Sequence, residues 1–370
     1  MLATRHARIR QDLERLTLDA LVVTSFTNIR YLSNHIGSAG ILLLTADAAH
    51  LVVDFRYQAA VAALQASPAA CPALRVHPVP GSYEDALLTC LAEIGVSRVG
   101  VEAAHLTLSR WEWLTANAAS RKSDVTFRST SGVVEAARAV KDAAEIATLR
   151  ESAHRIDPVV EAALAAIRPG VAERVVAAAI ESAMRDQGYE RPAFETIVAS
   201  GPNGALPHHR AGDRVIERGD LVVLDFGGVL DGYCSDLTRT VGVGSISPRA
   251  RELYDAVFDA QRAAVAVVRP GVLTTEVDAA ARQLLESRGL GDAFGHGTGH
   301  GLGLDVHEDP RVGKPRADLP PVTLQPGMVI TIEPGAYLTG FGGVRIEDDV
   351  LVTEQGCEIL TRPARELMVL

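Results

Sequence analysis

The sequence predicts two domains, an α/β domain over residues 1–130 and an α+β domain over residues 131–370 built from two related halves. Three observations predict it. A length of 370 residues exceeds one ordinary domain of roughly 150 residues. The N-terminal third alternates helical spacing with short apolar runs, and the remainder repeats itself at a fixed offset.

In the N-terminal third, Ile9, Leu13 and Leu16 share one helical face ahead of Asp19. Ala20-Leu21-Val22-Val23, Ile41-Leu42-Leu43-Leu44 and Leu51-Val52-Val53 follow as short apolar runs bounded by polar residues or glycine, as buried strands of an α/β layer require. Arg98 to Glu102 reads as another strand. Between residues 115 and 130 the sequence turns polar and loses its period, which predicts a linker. Beyond it, Asp142 with Glu145 matches a capping box, and Ile146, Leu149 and Ala153 continue a helix.

The repeat lies in the C-terminal part. AALAAIRPGV at 162–171 recurs as AAVAVVRPGV at 263–272, an offset of 101 with seven of ten positions identical. Gly188 and Gly289 share that offset and suit left-handed helix caps. DLVVLDFG at 220–227 aligns with MVITIEPG at 328–335, so that Asp225 matches Glu333 at an offset of 108. The growth from 101 to 108 requires an insertion between the two segments.

Composition narrows the function classes. The chain is 47% hydrophobic and 22% charged, with 36 Lys+Arg against 46 Asp+Glu and a net charge of −10. Those values match a globular protein, and the acidic balance disfavours nucleic acid and anionic membranes as partners. Cys71, Cys90, Cys234 and Cys357 form no CxxC pair, against a disulfide framework or a cysteine-based zinc site. The charged start MLATRHARIRQDL lacks an apolar h-region, and the longest uncharged stretch, Tyr57 to Leu74, holds Pro68 and Pro72. The expectation is a cytoplasmic protein without a membrane span.

Five of the eleven histidines fall between residues 208 and 307: His208, His209, His296, His300 and His307. Around them, apolar strands run into acids, Leu221 to Leu224 into Asp225 and Val329 to Ile332 into Glu333. A carboxylate at the end of a buried strand is costly unless a cation pairs with it. Asp225 and Asp236 flank an Asp231-Gly232 hairpin signal. A loop of Asp231-Gly232 makes Asp225 face Thr238, with Asp236 one diagonal step away; a loop of Leu230-Asp231 makes Asp225 face Asp236. Either way the two carboxylates share a face. Glu333 and Glu347 form a second pair across a glycine-rich connection, and Asp348 and Asp349 read as solvated. In GHGTGHGLGLDVHEDP, residues 295–310, five glycines let the backbone pass close to a neighbour. Two Asp, two Glu and one His make a hard-oxygen set that suits Mn²⁺, or Co²⁺ and Zn²⁺ less selectively. Four carboxylates fit two ions ~3.5–4 Å apart, and metal-assisted hydrolysis follows as the reaction class.

LDFGGVLDGYCSDLTRT, GHGTGHGLGLDVHE, TIEPG, VRIEDDV and SGPNGALPH together resemble the pita-bread metallopeptidases over residues ~140–370. NIRYLSN and VVDFRYQAA resemble, more weakly, the creatinase-type N-domain. The resemblance implies a creatinase-like α/β domain followed by a pita-bread domain with a pseudo-twofold repeat. It implies that Asp225 chelates the first metal, that Asp236 and Glu347 bridge the two, and that His300 and Glu333 complete the second shell. Glu333 is implied as general base, with His307 and His208 acting on substrate, His296 on the proline side, and Arg345 ordering Glu347. The spacing from Gly204 selects His208 over His209. Intact ligand positions argue against the metal-free creatinases, and the N-domain argues for Xaa-Pro specificity over methionine aminopeptidase. The implied enzyme is an Xaa-Pro dipeptidase, prolidase, acting as a homodimer on small peptides with proline second. Aminopeptidase P activity on longer peptides, or hydrolysis of a non-peptide substrate on the same scaffold, is the alternative.

Overall fold

The structure, a computed structural model, describes residues 1–120 and 124–370. The chain divides into two compact units, Met1–Arg138 and Ala139–Leu370.

In the first unit, α1 (Leu2–Leu16) buries Leu2, His6, Ile9 and Leu13 on one face and ends where Thr17 turns left-handed at φ 57°. After it come β1 (Ala20–Val23), α2 (Phe26–Ser33), β2 (Ile41–Thr45), β3 (Ala49–Val53), α3 (Phe55–Gln65), β4 (Leu74–Pro78), α4 (Tyr83–Ile94), β5 (Arg98–Glu102), α5 (Leu108–Ser120) and β6 (Thr126–Thr130). The strands form one mixed sheet in the order β4-β3-β2-β1-β5-β6. β1, β2 and β3 are buried along their whole length, the reason they read as apolar runs, with His50 the one polar side chain inside β3. Residues 121–123 lie outside the described residues, and the described residues of the stretch 115–130 are not a linker: they carry the end of α5 and all of β6. Their apolar period is sparse because α5 buries only Leu114 and Ala118, and β6, at the sheet edge, only Phe127. α6 (Val133–Ala139) closes the unit.

In the second unit α7 (Ala143–Arg155) opens on the expected capping box. Asp142 accepts from the Ala144 and Glu145 amides at 3.0 Å, and Glu145 accepts from the Asp142 amide at 2.9 Å. Next come α8 (Asp157–Ala166), α9 (Glu173–Asp186), β7 (Arg191–Pro192), β8 (Ile197–Ser200), β9 (Leu221–Phe226), β10 (Gly228–Leu230), β11 (Tyr233–Cys234) and β12 (Leu237–Gly242). The second half repeats the plan with α10 (Pro248–Val267), α11 (Thr274–Ser287), β13 (Gly299–Gly301), β14 (Glu308–Val312), β15 (Val329–Ile332), β16 (Gly335–Leu338), β17 (Gly342–Arg345), β18 (Asp348–Val352) and β19 (Cys357–Ile359). The strand order is β12-β9-β8 in one sheet and β14-β13-β15-β18-β19 in another, with β11-β10-β7 and the β16-β17 ribbon beside them.

The backbone keeps both offsets of the repeat. The Gly170 amide donates to Ile216 O and the Gly271 amide to Leu324 O; isolated bridges join Ala172 to Val215 and Leu273 to Thr323. In each pair the residues preceding the helices are 101 apart and those preceding the strands 108 apart, as the two aligned segments require. Gly188 and Gly289 are both left-handed, at φ 80° and 72°. Packing repeats as well. Val160, Val176 and Ile180 cover Val222, Leu224 and Val241, while Val257, Val277 and Ala281 cover Ile330, Ile332 and Val350. Residues of the opposite parity on these strands face away from the helices, and that parity carries the chemistry.

Candidate metal centre

Strand alternation assembles the site. Val222, Leu224 and Phe226 pack toward the helices, so Val223 and Asp225 face the other way. Val344, Ile346 and Val350 do the same in the second half and leave Arg345, Glu347 and Asp349 on the opposite face. A one-residue slip of either strand would move its apolar set off the helices, at about 1.5–3 kcal/mol for each large side chain exposed, so the acids are held in place by the core behind them. The hairpin turns at Asp231-Gly232, both left-handed at φ 47° and 81°. That selects the first of the two predicted registers: Asp225 pairs with Thr238, and Asp236 lies one diagonal step away.

β13 brings in the histidine. A Cβ on Gly299 would stand 1.9 Å from Thr331 O and one on Gly301 2.2 Å from Asp309 O, so glycine is needed for β13 to lie between β14 and β15. His300 Nδ1 lies 3.0 Å from Gly301 O, which assigns the proton to Nδ1 and leaves a lone pair on Nε2. That Nε2 faces Glu333 Oε1 at 3.5 Å and Asp236 Oδ2 at 3.8 Å, acceptor against acceptors. Asp236, His300 and Glu347 present ligand atoms all within 4.8 Å of one another. Asp225 Oδ1, Asp236 Oδ1 and Glu347 Oε1 are buried without a hydrogen-bond partner among the described residues. Burial, then mutual repulsion, pushes the Asp236 and Glu347 carboxyls well above the usual range, and burial raises Glu333 too. Neutral imidazole, orphaned carboxylate oxygens and crowded negative charge are the complement of a divalent cation, so these residues fit the metals their types imply.

The remaining groups surround this cluster. Arg345, expected to order Glu347, pairs with Asp225 and donates to Thr238 Oγ1 at 3.2 Å; Thr238 in turn donates to Glu347 Oε2 at 2.7 Å. Arg345 therefore acts on Glu347 both through Thr238 and by its charge, which lowers the Glu347 carboxyl. Arg345 Nη1 also donates at 2.8 Å to the Tyr337 hydroxyl, which lies 2.9 Å from His296 Nε2. Burial holds His296 low, at about 4, so it is neutral and accepts that hydroxyl proton. The His307 ring stands edge-on to His300 at 4.3 Å. Of the adjacent pair, His209 is engaged 2.8 Å from buried Glu173, whereas His208 is exposed and close enough to lower both His296 and His307 electrostatically.

Asp348 and Asp349 are not solvated; both are buried, at 0% and 1% exposure. Asp348 shares the helix-facing parity and meets the buried Arg239 guanidinium at 2.8 Å and Gln261 Nε2 at 2.7 Å. Asp349, on the site-facing parity, accepts from the Asp236 amide at 3.2 Å. Reading residues 344–350 by strand parity, with Arg239 inside an apolar strand needing an acid, would have found both. Tyr337 carried no such signal, because only the folded β16–β17 ribbon brings it to Arg345.

A fold of two α+β halves that converge four carboxylates and an imidazole defines a metal-dependent hydrolase. Residues 147–354 match Metallopeptidase family M24, and residues 5–140 match the Creatinase/Prolidase N-terminal domain. An Xaa-Pro dipeptidase of Pyrococcus horikoshii is 37% identical over 98% of this chain and 97% of its own length. Among solved structures, an Xaa-Pro dipeptidase from Bacillus anthracis is 38% identical with a TM-score of 0.93, covering 100% of both chains. An X-Pro aminopeptidase from Thermotoga maritima is 34% identical with a TM-score of 0.86, covering 97% of this chain and 100% of its own. The chain belongs to metallopeptidase family M24, with a creatinase-type N-terminal domain and a pita-bread C-terminal domain.

Proposed function

We propose that this peptidase hydrolyses the bond preceding proline, with Xaa-Pro dipeptides as its preferred substrates and two divalent ions, Mn²⁺ foremost, held by Asp225, Asp236, His300, Glu333 and Glu347. The observation that carries the metal reading is the His300 Nε2 lone pair set against carboxylates with unpartnered buried oxygens. The names of the relatives support the substrate. When bound, such ions acidify water and take up charge developing on the scissile carbonyl oxygen. Glu333, whose Oε1 stands 3.5 Å from His300 Nε2 inside the cluster, is placed to accept the proton of the attacking water. Neutral His307 donates toward the oxygen of the carbonyl, and His208 supports the leaving proline nitrogen. His296, fixed by Tyr337 and backed by the buried Phe294 ring, T-shaped at 5.1 Å, lines the proline side. Arg345 holds Asp225 and, through Thr238, Glu347, so that the ligands keep their geometry. The proposal includes a homodimer, as the family resemblance implies.

The test is turnover of Ala-Pro, Ala-Pro-Ala and Met-Ala-Ala by metal-stripped protein restored with Mn²⁺. Cleavage of Ala-Pro alone supports the dipeptidase. Comparable cleavage of Ala-Pro-Ala supports an aminopeptidase, the activity named for the Thermotoga maritima relative. No cleavage of the three by a metal-loaded protein favours a non-peptide substrate.

A further inference from the structure

The N-terminal unit holds a second group of metal-ligating side chains, far in kind from the carboxylate centre. β3 and β4 pair in parallel, with His50 opposite Arg75 and Val52 opposite His77. His50 and His77 therefore lie on one face of the sheet, one diagonal step apart. They lie close enough for His50 Nδ1 and His77 Nε2 to stand 3.0 Å apart. α4 packs over that face and presents Cys90, 1% exposed, among Val22, Leu43, Val52 and Leu87. The ligand atoms of His50, His77 and Cys90 all lie within 4.8 Å of one another. His50 itself is 1% exposed, a polar ring in an otherwise apolar layer.

We propose that His50, His77 and Cys90 bind a zinc-class ion, two imidazoles and a thiolate with one coordination position left for solvent. The donor chemistry is the reverse of the catalytic set. A thiolate with two imidazoles selects Zn²⁺, Co²⁺ or Cu⁺ over Mn²⁺. The spacing is close to what such an ion needs. Two nitrogens each about 2.0 Å from a tetrahedral zinc stand about 3.3 Å apart, so the 3.0 Å gap must open by only a few tenths of an ångström. The orientation of His77 also suits it. With Nε2 toward His50, its Nδ1 lies 3.9 Å from Glu93 Oε2, three residues after Cys90 on α4. A carboxylate beside the distal nitrogen is the arrangement that fixes a ligating imidazole. Arg75 leans to Asp47 at 3.8 Å, both exposed, so its charge is solvated. Coordination breaks the Cys90 S–H bond and forms an S–metal bond, and the proton passes to solvent. A hydrogen-bonded histidine pair beside an inert buried thiol is the arrangement this proposal opposes.

The test uses the full chain, reduced and stripped of metal, titrated with Co²⁺ and read by the near-ultraviolet thiolate-to-cobalt charge-transfer band and by bound metal. The wild type is expected to show the band and to bind one more Co²⁺ than Cys90→Ser. Asp236→Ala, which breaks the carboxylate centre, should keep the band. His77→Gln, at a partly exposed position that tolerates change, should lose it while Mn²⁺-supported peptidase activity stays within about two-fold. Absence of the band in the wild type, or its survival in Cys90→Ser or His77→Gln, overturns the proposal, and neither result bears on the carboxylate centre.

Discussion

Replacing Gly299 by alanine places a methyl group 1.9 Å from the Thr331 carbonyl oxygen, a backbone atom that cannot rotate aside. To reach a C···O contact of about 3.3 Å, β13 must recede by roughly 1.4 Å. His300 is the next residue and recedes with β13, which stretches the 3.2 Å bond from its amide to Thr331 Oγ1. Misplacement of a catalytic group by ~1 Å costs on the order of 10²-fold in rate. Gly299→Ala is therefore expected to lower kcat/KM for Ala-Pro about 100-fold at saturating Mn²⁺ and to weaken metal uptake, with the circular dichroism of the fold retained. Gly295→Ala is the control, because a Cβ there meets nothing within 4 Å, and its activity should stay within about two-fold. A Gly299→Ala enzyme within ten-fold of wild type, or a Gly295→Ala enzyme equally impaired, would refute the close-packing argument.

Tyr337→Phe removes the hydroxyl between Arg345 and His296; leaving buried partners unmet costs about 1–3 kcal/mol, so kcat/KM should fall about ten-fold in steady-state assays. Asp348→Ala strips the buried Arg239 of its partner and should cost about 3–5 kcal/mol in denaturant unfolding. Asp348→Asn, able to keep the Thr361 bond, should cost less. The metal-free protein should also gain stability on acidification. Asp236, Glu333 and Glu347 have folded pKa values above their unfolded ones, so their contribution is full below the unfolded range near 4 and is lost as pH rises through the raised values. Thermal melts of stripped protein should therefore rise from pH 8 to pH 6, and Mn²⁺ should restore the loss at pH 8. A stripped protein whose melting temperature falls over that interval relative to the Mn²⁺-loaded form contradicts the raised values.

Where burial is complete on both faces of a strand, the sequence is clear. β1 and β2 are legible as apolar runs over nearly their whole length, and β3 through Leu51 to Val53, after the buried His50. The repeat was legible because Arg-Pro-Gly-Val turns and left-handed glycines recur where each half turns back toward its strands. Asp225 and Glu333 stood out because each ends an apolar strand without a sequence-local cation. Edge elements are silent: β4 and β6 expose most of their residues, and in β4 the Leu74-Arg75-Val76-His77 alternation does not follow burial. Asp348 and Asp349 were misread because two adjacent acids point to opposite faces, one toward Arg239 and one toward Asp236, and neither partner is near in sequence. The contacts of Arg345 depend on β17 lying beside β9 and β12, a tertiary arrangement that no local pattern encodes.

The most direct test of the central claim is Ala-Pro hydrolysis by the stripped protein as Mn²⁺ is added back, run beside Asp236→Ala. The account predicts negligible turnover without metal, recovery as two Mn²⁺ bind, and no recovery in the variant. Full turnover by the exhaustively chelated protein, or by Asp236→Ala, would contradict it.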